Sequence, residues 1–260
     1  MLYLILALEV FLIVWTLGDL GLAMVAGILA SLGILYVWVN RHKFGERLIP
    51  LDKEEMPWLY KGIEELARKA GVPMPKIYLL DDYIPNAYSF GDTIVLSLGL
   101  FEVLDEDEII AVAAHELGHI KNRDTIWFPV ITYGRFLMII STLVLVIAGN
   151  IAVKGLAPLL YLVYELSRSD FMKAREFLAD ETALALLPVP MSLKRALEEL
   201  KYYEDLRTNV KIKGVPSIEP GIEREKRFTF FMETHPSYEE RILRITFEIN
   251  NLIEIKQRVR

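Results

Sequence analysis

The stretch His115-Glu116-Leu117-Gly118-His119 has the residue types and the spacing of a metal-dependent hydrolase. On a helix, residues i and i+4 lie one above the other, with Cβ atoms about 5–6 Å apart. Two imidazoles on that face can reach one zinc ion at about 2.0–2.1 Å. Glu116 projects about 100° away around the helix, where its carboxylate meets a water rather than the metal. Zinc lowers the pKa of such a water toward about 7, and Glu116 takes its proton as it attacks a carbonyl. Chance spacing on an ordinary helix is the competing explanation. The motif, however, uses two of only four histidines and follows directly on a pair of strand-like segments.

A catalytic zinc takes three protein ligands and keeps one position open. Continuing the motif along the same helix would need a glycine and a third histidine at positions occupied by Asn122 and Thr125, which excludes that arrangement. The other solution is a glutamate from a later helix, and Arg175-Glu176-Phe177-Leu178-Ala179-Asp180 offers Glu176. Asp180 lies one turn further on the same face, placed to hold a ligand imidazole N–H. Carboxylates four residues apart are common on helices. Here Phe177, Leu178, Ala179 and Ala183 imply a buried face, where two carboxylates are costly unless paired or metal-bound. The absence of cysteine excludes thiolate ligands, cysteine catalysis and redox roles. A net charge of −6 leaves no footprint for nucleic acid.

The elements that must position these groups are legible in outline. The acidic run 105–108 opens the helix of the histidines, where negative charge suits the positive end of the helix dipole. Before it, Lys76–Leu80 and Thr93–Leu98 read as strands, joined by the turn-rich IPNAYSFGD. Residues 53–70 carry apolar side chains at helical spacing and stop at Gly71. A helix over about 165–187 ends at Pro188 and Pro190, and another covers 191–207. Residues 209–227 have no helical stripe and read as a mobile loop, and Pro236 opens a last amphipathic helix to about 256. The pattern is α+β and helix-dominated, with a small antiparallel sheet.

The chain of 260 residues is 53% hydrophobic with a mean hydropathy of +0.31, and the excess is concentrated. Residues 1–40 contain Glu9 and Asp19 but no Lys or Arg. Leu2–Thr16 and Leu20–Val39, separated by Gly18-Asp19, are each near the roughly 20 residues a membrane span needs. A cleaved signal peptide fits poorly, because no basic segment precedes the first run and the apolar sequence resumes at once. Arg41, His42, Lys43 and Arg47 mark the following end as cytoplasmic, and His42 reads as a membrane-flanking residue rather than a ligand. Trp127–Ala148 and Ile151–Tyr164 form a second apolar block between basic flanks. With Arg135, Lys154 and Pro158 inside it, this block reads as two full spans or as a shallower, partly protein-buried pair.

The domain division is then a transmembrane hairpin at 1–40, a cytoplasmic catalytic domain at 41–125 and 165–260, and an inserted hydrophobic hairpin at 126–164. A lone charge in hydrocarbon costs about 2.5–3.5 kcal/mol on insertion scales. Glu9 and Arg135 lie at similar depths along their helices. They pair with each other, or Arg135 snorkels while Glu9 faces protein or water.

Four blocks in order, PNAYSFG (85–91), HELGHIKNRD (115–124), SRSDFMKAREFLAD (167–180) and THPSYEERI (234–242), resemble the HtpX-type membrane zinc metalloproteases, which are related to the CAAX prenyl endoproteases. The resemblance covers nearly the whole chain. It implies a zincin-like catalytic domain in a multi-pass membrane protein, with one Zn2+ per chain. It implies Glu176 as the third ligand and Glu116 as general base. It also implies that Asn86 orients the substrate backbone near an edge strand, and that His235 and Arg241 line the site and stabilise the oxyanion. His235 lies in a polar turn before Pro236, free to point into a cleft, and Arg241 lies on the helix that follows. Arg168 and Arg175 are expected to pair with local carboxylates or lipid phosphates.

The expected activity is endoproteolysis at the cytoplasmic face of the plasma membrane, with an extended polypeptide added as a strand beside the small sheet. The lipid bilayer is the other expected partner. The resemblance implies misfolded or damaged membrane proteins as substrates. An intramembrane protease is disfavoured, because DEDE and KNRD bracket too short an apolar stretch to span a bilayer. A prenyl-protein endoprotease and a non-catalytic, zinc-stabilised membrane scaffold are the remaining competitors.

Overall fold

The structure, a computed structural model, describes residues 2–42, 48–209 and 236–258. In chain order these form α1 (Leu2–Leu17), α2 (Asp19–His42), β1 (Leu48–Pro50), α3 (Pro57–Ala70), β2 (Lys76–Leu80), β3 (Ala87–Phe90) and β4 (Thr93–Ser97). There follow α4 (Leu98–Val103), α5 (Glu106–Lys121), α6 (Asp124–Ala148), α7 (Ile151–Leu186), α8 (Met191–Asn209) and α9 (Tyr238–Arg258). They divide into two compact units. One takes in α1, α2 and Thr125–Ala174. The other takes in β1 to β4, α3 to α5, α7 from Arg175 onward, α8 and α9.

The second unit is helix-dominated α+β, but its sheet is mixed rather than antiparallel. The strand order is β1-β2-β4-β3. β1 runs antiparallel to β2, β3 runs antiparallel to β4, and β2 and β4 are parallel from Lys76↔Thr93 to Leu80↔Ser97. The reason is an extra reversal. Ala87–Phe90, within the stretch read as a turn, is itself a strand, and the true hairpin turn is Gly91-Asp92. With β3 running back, β4 returns beside β2 in the same direction. β1 also escapes a periodicity reading, being three residues long and ending in Pro50.

Every residue of β4 is buried. Ile94 and Leu96 belong to one apolar core with Leu59 and Ile63 of α3, Leu117 of α5 and Leu193 of α8. Each large side chain buried there contributes about 1.5–3 kcal/mol. α3 begins at Pro57, which takes the first helical turn where its missing N–H costs nothing. α5 begins with a reciprocal cap. The Asp105 carboxylate accepts from the Glu108 N–H at 2.8 Å, and Glu108 accepts from the Asp105 N–H at 3.0 Å. The acidic opening of this helix therefore does more than answer the dipole.

In the first unit, α1 and α2 are joined by Gly18 alone, at φ +59°. That left-handed conformation suits a residue without Cβ. Ile13 and Val25 pack with Leu145, Val153 and Ala157, while Leu2 and Ile5 pack with Ile131, Met138 and Tyr164. The opposite faces expose Leu4, Trp15, Leu20, Ile34, Ile147 and Ile151. Among the described residues α6 is the one helix long and apolar enough to cross a membrane, by length and composition. Leu2–Leu17 and Asp19–Ile34 are shorter apolar stretches. α7 does not break near residue 165 but runs unbroken through Pro158 to Leu186. The change of pattern there marks a change of surroundings, since no Gly or Pro lies between Pro158 and Pro188.

Of the two alternatives for Glu9 and Arg135, the structure favours Glu9 facing protein over a pair between them. Glu9 is buried and accepts from the Ser141 and Thr142 hydroxyls at 3.0 and 3.1 Å. Arg135 Nε lies 2.9 Å from Glu165 Oε1, and Arg168 donates to Glu165 Oε2. The partner of Arg135 is thus one residue beyond the segment the sequence assigned to the apolar pair. Beyond Asn209 the expected 209–227 loop lies outside the described residues, as does His235.

Candidate metal centre

α5 carries His115 and His119 on one face, and α7 carries Glu176 and Asp180 one turn apart. The two helices can approach because Gly118 has no side chain. A Cβ there would stand 2.9 Å from the Ala179 carbonyl oxygen and 3.1 Å from its Cα. Both obstacles are backbone, which cannot swing away. Gly→Ala inside a helix normally gains roughly 1 kcal/mol from propensity. Gly118→Ala is expected to do the reverse, destabilising by about 1–3 kcal/mol through overpacking and spreading the candidate ligands. Thermal unfolding with zinc analysis checks this. A raised melting temperature with full zinc would show that the close approach is not required.

The candidate ligand atoms converge. His115 Nε2 and His119 Nε2 are 3.1 Å apart. Glu176 Oε2 lies 3.5 Å from the first, and Glu176 Oε1 lies 3.7 Å from the second. Ligands of a tetrahedral zinc at about 2.0–2.1 Å stand roughly 3.3 Å from one another, so the three groups are spaced to share one ion. Among the described residues these are the His, Cys, Asp and Glu side chains grouped tightly enough to hold a metal. All three are buried.

Each imidazole is held from behind. His115 Nδ1 lies 2.8 Å from Asp180 Oδ1, and His119 Nδ1 lies 2.8 Å from Asp124 Oδ2. Each carboxylate is met in turn by an arginine. Arg241 donates to Asp180 through Nε at 2.8 Å and Nη2 at 2.6 Å. Arg175 Nε donates to Asp124 Oδ1. An imidazole whose Nδ1–H donates to a carboxylate turns the Nε2 lone pair outward. Two such lone pairs pointing at each other and at a carboxylate are unfavourable without a cation between them, so the donor set fits a divalent metal.

The electrostatics point the same way. Burial disfavours charge on His115, and Arg241 opposes it too. Asp180 and Glu176 outweigh both and push its pKa up to about 9. A pocket that stabilises a proton on a buried imidazole is one that favours positive charge. Burial likewise acts to raise Asp180, but Arg241 and His115 hold its carboxyl below the usual range.

The other expected residues are placed as follows. Glu116 is buried beside the two histidines on α5, and among the described residues its carboxylate has no hydrogen-bond or ion-pair partner. Asn86 immediately precedes β3, an edge of the sheet, and α5 packs against that strand. Its N–H donates to Ser97 Oγ at 2.8 Å, its carbonyl accepts from the Ser97 N–H at 2.9 Å, and the residue is exposed. Arg241 reaches the cluster from α9. Besides Asp180, its Nη2 lies 3.2 Å from His115 Nδ1 and its Nη1 lies 4.0 Å from Glu176 Oε2. Arg168 and Arg175 both pair with carboxylates, Glu165 and Asp124.

Sequence reasoning passes over Asp124. On an uninterrupted helix, five residues beyond His119 is about 140° around the axis, out of reach. The chain instead leaves α5 through Asn122 and Arg123, the latter at φ +60°, and this left-handed turn brings Asp124 back beneath the imidazole.

The family model described as Peptidase family M48 matches residues 53–248. The chain is 33% identical over 225 residues to a Protease HtpX homolog of Sulfurihydrogenibium sp. (strain YO3AOP1), covering 74% of this chain and 74% of that protein. It is 34% identical over 237 residues to a Protease HtpX homolog of Aquifex aeolicus (strain VF5), covering 78% and 74%. A Protease HtpX homolog of Pyrococcus abyssi (strain GE5 / Orsay) is 32% identical over 235 residues, covering 75% and 74%. Among solved structures, the crystal structure of S. mikatae Ste24p is similar with a TM-score of 0.53 and 23% identity, covering 92% of this chain and 61% of that one. At that identity the likeness is one of fold.

Proposed function

The chain belongs to peptidase family M48 and is an HtpX-like metalloendopeptidase; from that premise we propose that its metal is one zinc ion held by His115, His119 and Glu176. The observation that carries this is the convergence of the three ligand atoms at 3.1, 3.5 and 3.7 Å. Bound there, zinc supplies Lewis acidity and a water acidic enough to ionise near pH 7.

The chain's own groups then have separable tasks. Asp180 keeps His115 in the tautomer with Nε2 free. Glu116, without a hydrogen-bond or ion-pair partner among the described residues, takes the proton from the attacking water and delivers it to the leaving amine. Asn86, at the mouth of an edge strand, orients a substrate backbone that extends along β3 by main-chain hydrogen bonds. Arg241 has Nε and Nη2 committed to Asp180, and Nη1 is the arm we assign to the substrate carbonyl. His235 shares in stabilising the oxyanion, an assignment that rests on the resemblance.

Polypeptides are the substrates, and misfolded or damaged membrane proteins are the proposed class. The proposed division keeps a transmembrane hairpin at 1–40, an inserted hydrophobic hairpin at 126–164 and the catalytic domain at 41–125 and 165–260. The chain is then multi-pass in the plasma membrane. Lys121 and Arg123 before the insertion, and Arg168, Lys173 and Arg175 after it, put both ends on the cytoplasmic side. No role in binding nucleic acid is proposed.

Metal removal tests the reading. The detergent-purified protein is expected to hold zinc at about one per chain and to degrade an unfolded protein. Activity should be lost on treatment with a chelator and restored by zinc. Zinc bound without any cleavage would favour a scaffold, and cleavage that survives complete metal removal would sink the proposal.

A further inference from the structure

We propose that Asp124 and Arg175 form a clamp that positions His119 and ties its grip on the metal to closure of the inserted segment at its base. The proposal rests on the reading of His115, His119 and Glu176 as metal ligands. Asp124 is fully buried, at 0% exposure. Its two oxygens are divided between two tasks: Oδ2 meets His119 Nδ1 at 2.8 Å, and Oδ1 accepts from Arg175 Nε. The Arg175 Nη2 donates onward to the Asn122 carbonyl, at the end of α5. The Asn122 side chain itself donates to Thr182 Oγ1 on α7 at 3.3 Å. One guanidinium therefore holds both the carboxylate that orients a ligand and the turn that delivers that carboxylate.

The place of the pair in the chain gives it its second role. Asp124 is the last residue of the catalytic unit before the segment Thr125–Ala174, and Arg175 is the first residue after it. The ion pair bridges these two points across 51 positions of sequence. Arg175 also directly precedes Glu176, the third ligand. Two of the three ligands are thus anchored within one residue of the clamp or by direct contact with it, one from each side of the insertion. Arg123 at φ +60° is a non-glycine residue in a region that costs about 1–2 kcal/mol. Such a turn persists when its surroundings over-determine it, and the Asp124 and Asn122 contacts of Arg175 supply that determination. Because linkage is reciprocal, whatever closes the base of the insertion strengthens metal binding, and metal binding closes the base.

The test measures zinc affinity by competition with a chelating dye, on full-length protein in detergent. Asp124→Asn is expected to weaken zinc binding about 10–100-fold, the range for partners that orient a ligand histidine. Arg175→Gln is expected to weaken it about 10-fold. Arg175→Lys keeps the charge but replaces the planar fork of donors by a single ammonium, so a smaller loss is expected. Lys76→Gln, which breaks the exposed pair with Asp92, should leave affinity unchanged. Hydrogen exchange gives the readout that a merely structural role would not move. In the wild type, zinc removal should speed exchange at amides 121–126 and 172–177, and this response should be lost in Arg175→Gln. Wild-type affinity in both Asp124→Asn and Arg175→Lys overturns the positioning role, as does exchange at the base that is indifferent to zinc. If Asp124→Asn does not fold, Arg175→Lys decides alone. A wild type that binds no zinc, or keeps it when His119 is replaced, overturns the ligand assignment instead.

Discussion

Glu116→Gln is expected to slow peptide-bond hydrolysis by about 100- to 10,000-fold, the usual contribution of a positioned general base, while zinc stays bound. Glutamine has the same shape and volume but cannot hold the proton. The substitution is clean at this position for a structural reason. Among the described residues the Glu116 carboxylate meets no hydrogen-bond or ion-pair partner, so the substitution breaks no such contact among them. Glu116 also lies outside the His115, His119 and Glu176 group. The measurement is degradation of an unfolded protein by detergent-purified enzyme, with zinc determined on the same sample. Cleavage at the wild-type rate with zinc bound would remove Glu116 from the mechanism. Loss of zinc would make it a ligand.

The parts of the molecule that sequence reasoning reaches are those where a periodic pattern and the chemistry coincide. In α5, an acidic cap, an apolar stripe and two histidines one turn apart are all local, and the helix forms where expected. β2, β4 and α3 are similarly local. What escapes depends on contacts between distant segments or on irregular backbone. β3 is hidden because Pro85, Asn86 and Gly91 flank four residues that are extended only because β4 pairs with them. The parallel pairing of β2 and β4 follows from that missed strand. Asp124 is hidden by the left-handed Arg123, since helix geometry sends position 124 to the wrong face. Glu165 is hidden by an assumed break in a helix that does not break. Asp180, by contrast, is legible because it shares a face with Glu176 on regular helix, and its contact with His115 needs only that face to turn inward. The blocks that carry the family resemblance include Asp124 and Arg175, but nothing local in them encodes the contact between the two.

Glu176→Gln is expected to cost more in zinc affinity than the roughly 10–100-fold lost when an orienting partner is removed, and activity should fall with it. Both oxygens of Glu176 face the convergence point, at 3.5 and 3.7 Å from the two Nε2 atoms. The amide offers one weak, neutral oxygen in their place. The lost charge matters as much as the lost donor. Glu176 helps hold positive charge on this cluster, being among the groups that raise His115 and that face Arg241. Without it, a cation at the site would meet Arg241 with one carboxylate fewer to offset it, and Asp180 is already shared between Arg241 and His115. Asp180 therefore cannot move in as a substitute ligand without releasing both. Glu176→Asp keeps the charge on a side chain one carbon shorter, so it should retain part of the affinity. Metal analysis after dialysis, together with dye competition, separates the three proteins. Full zinc retention in Glu176→Gln would place the third ligand elsewhere. Zinc retained in Glu116→Gln but lost in Glu176→Gln would assign the proton to one buried carboxylate and the metal to the other.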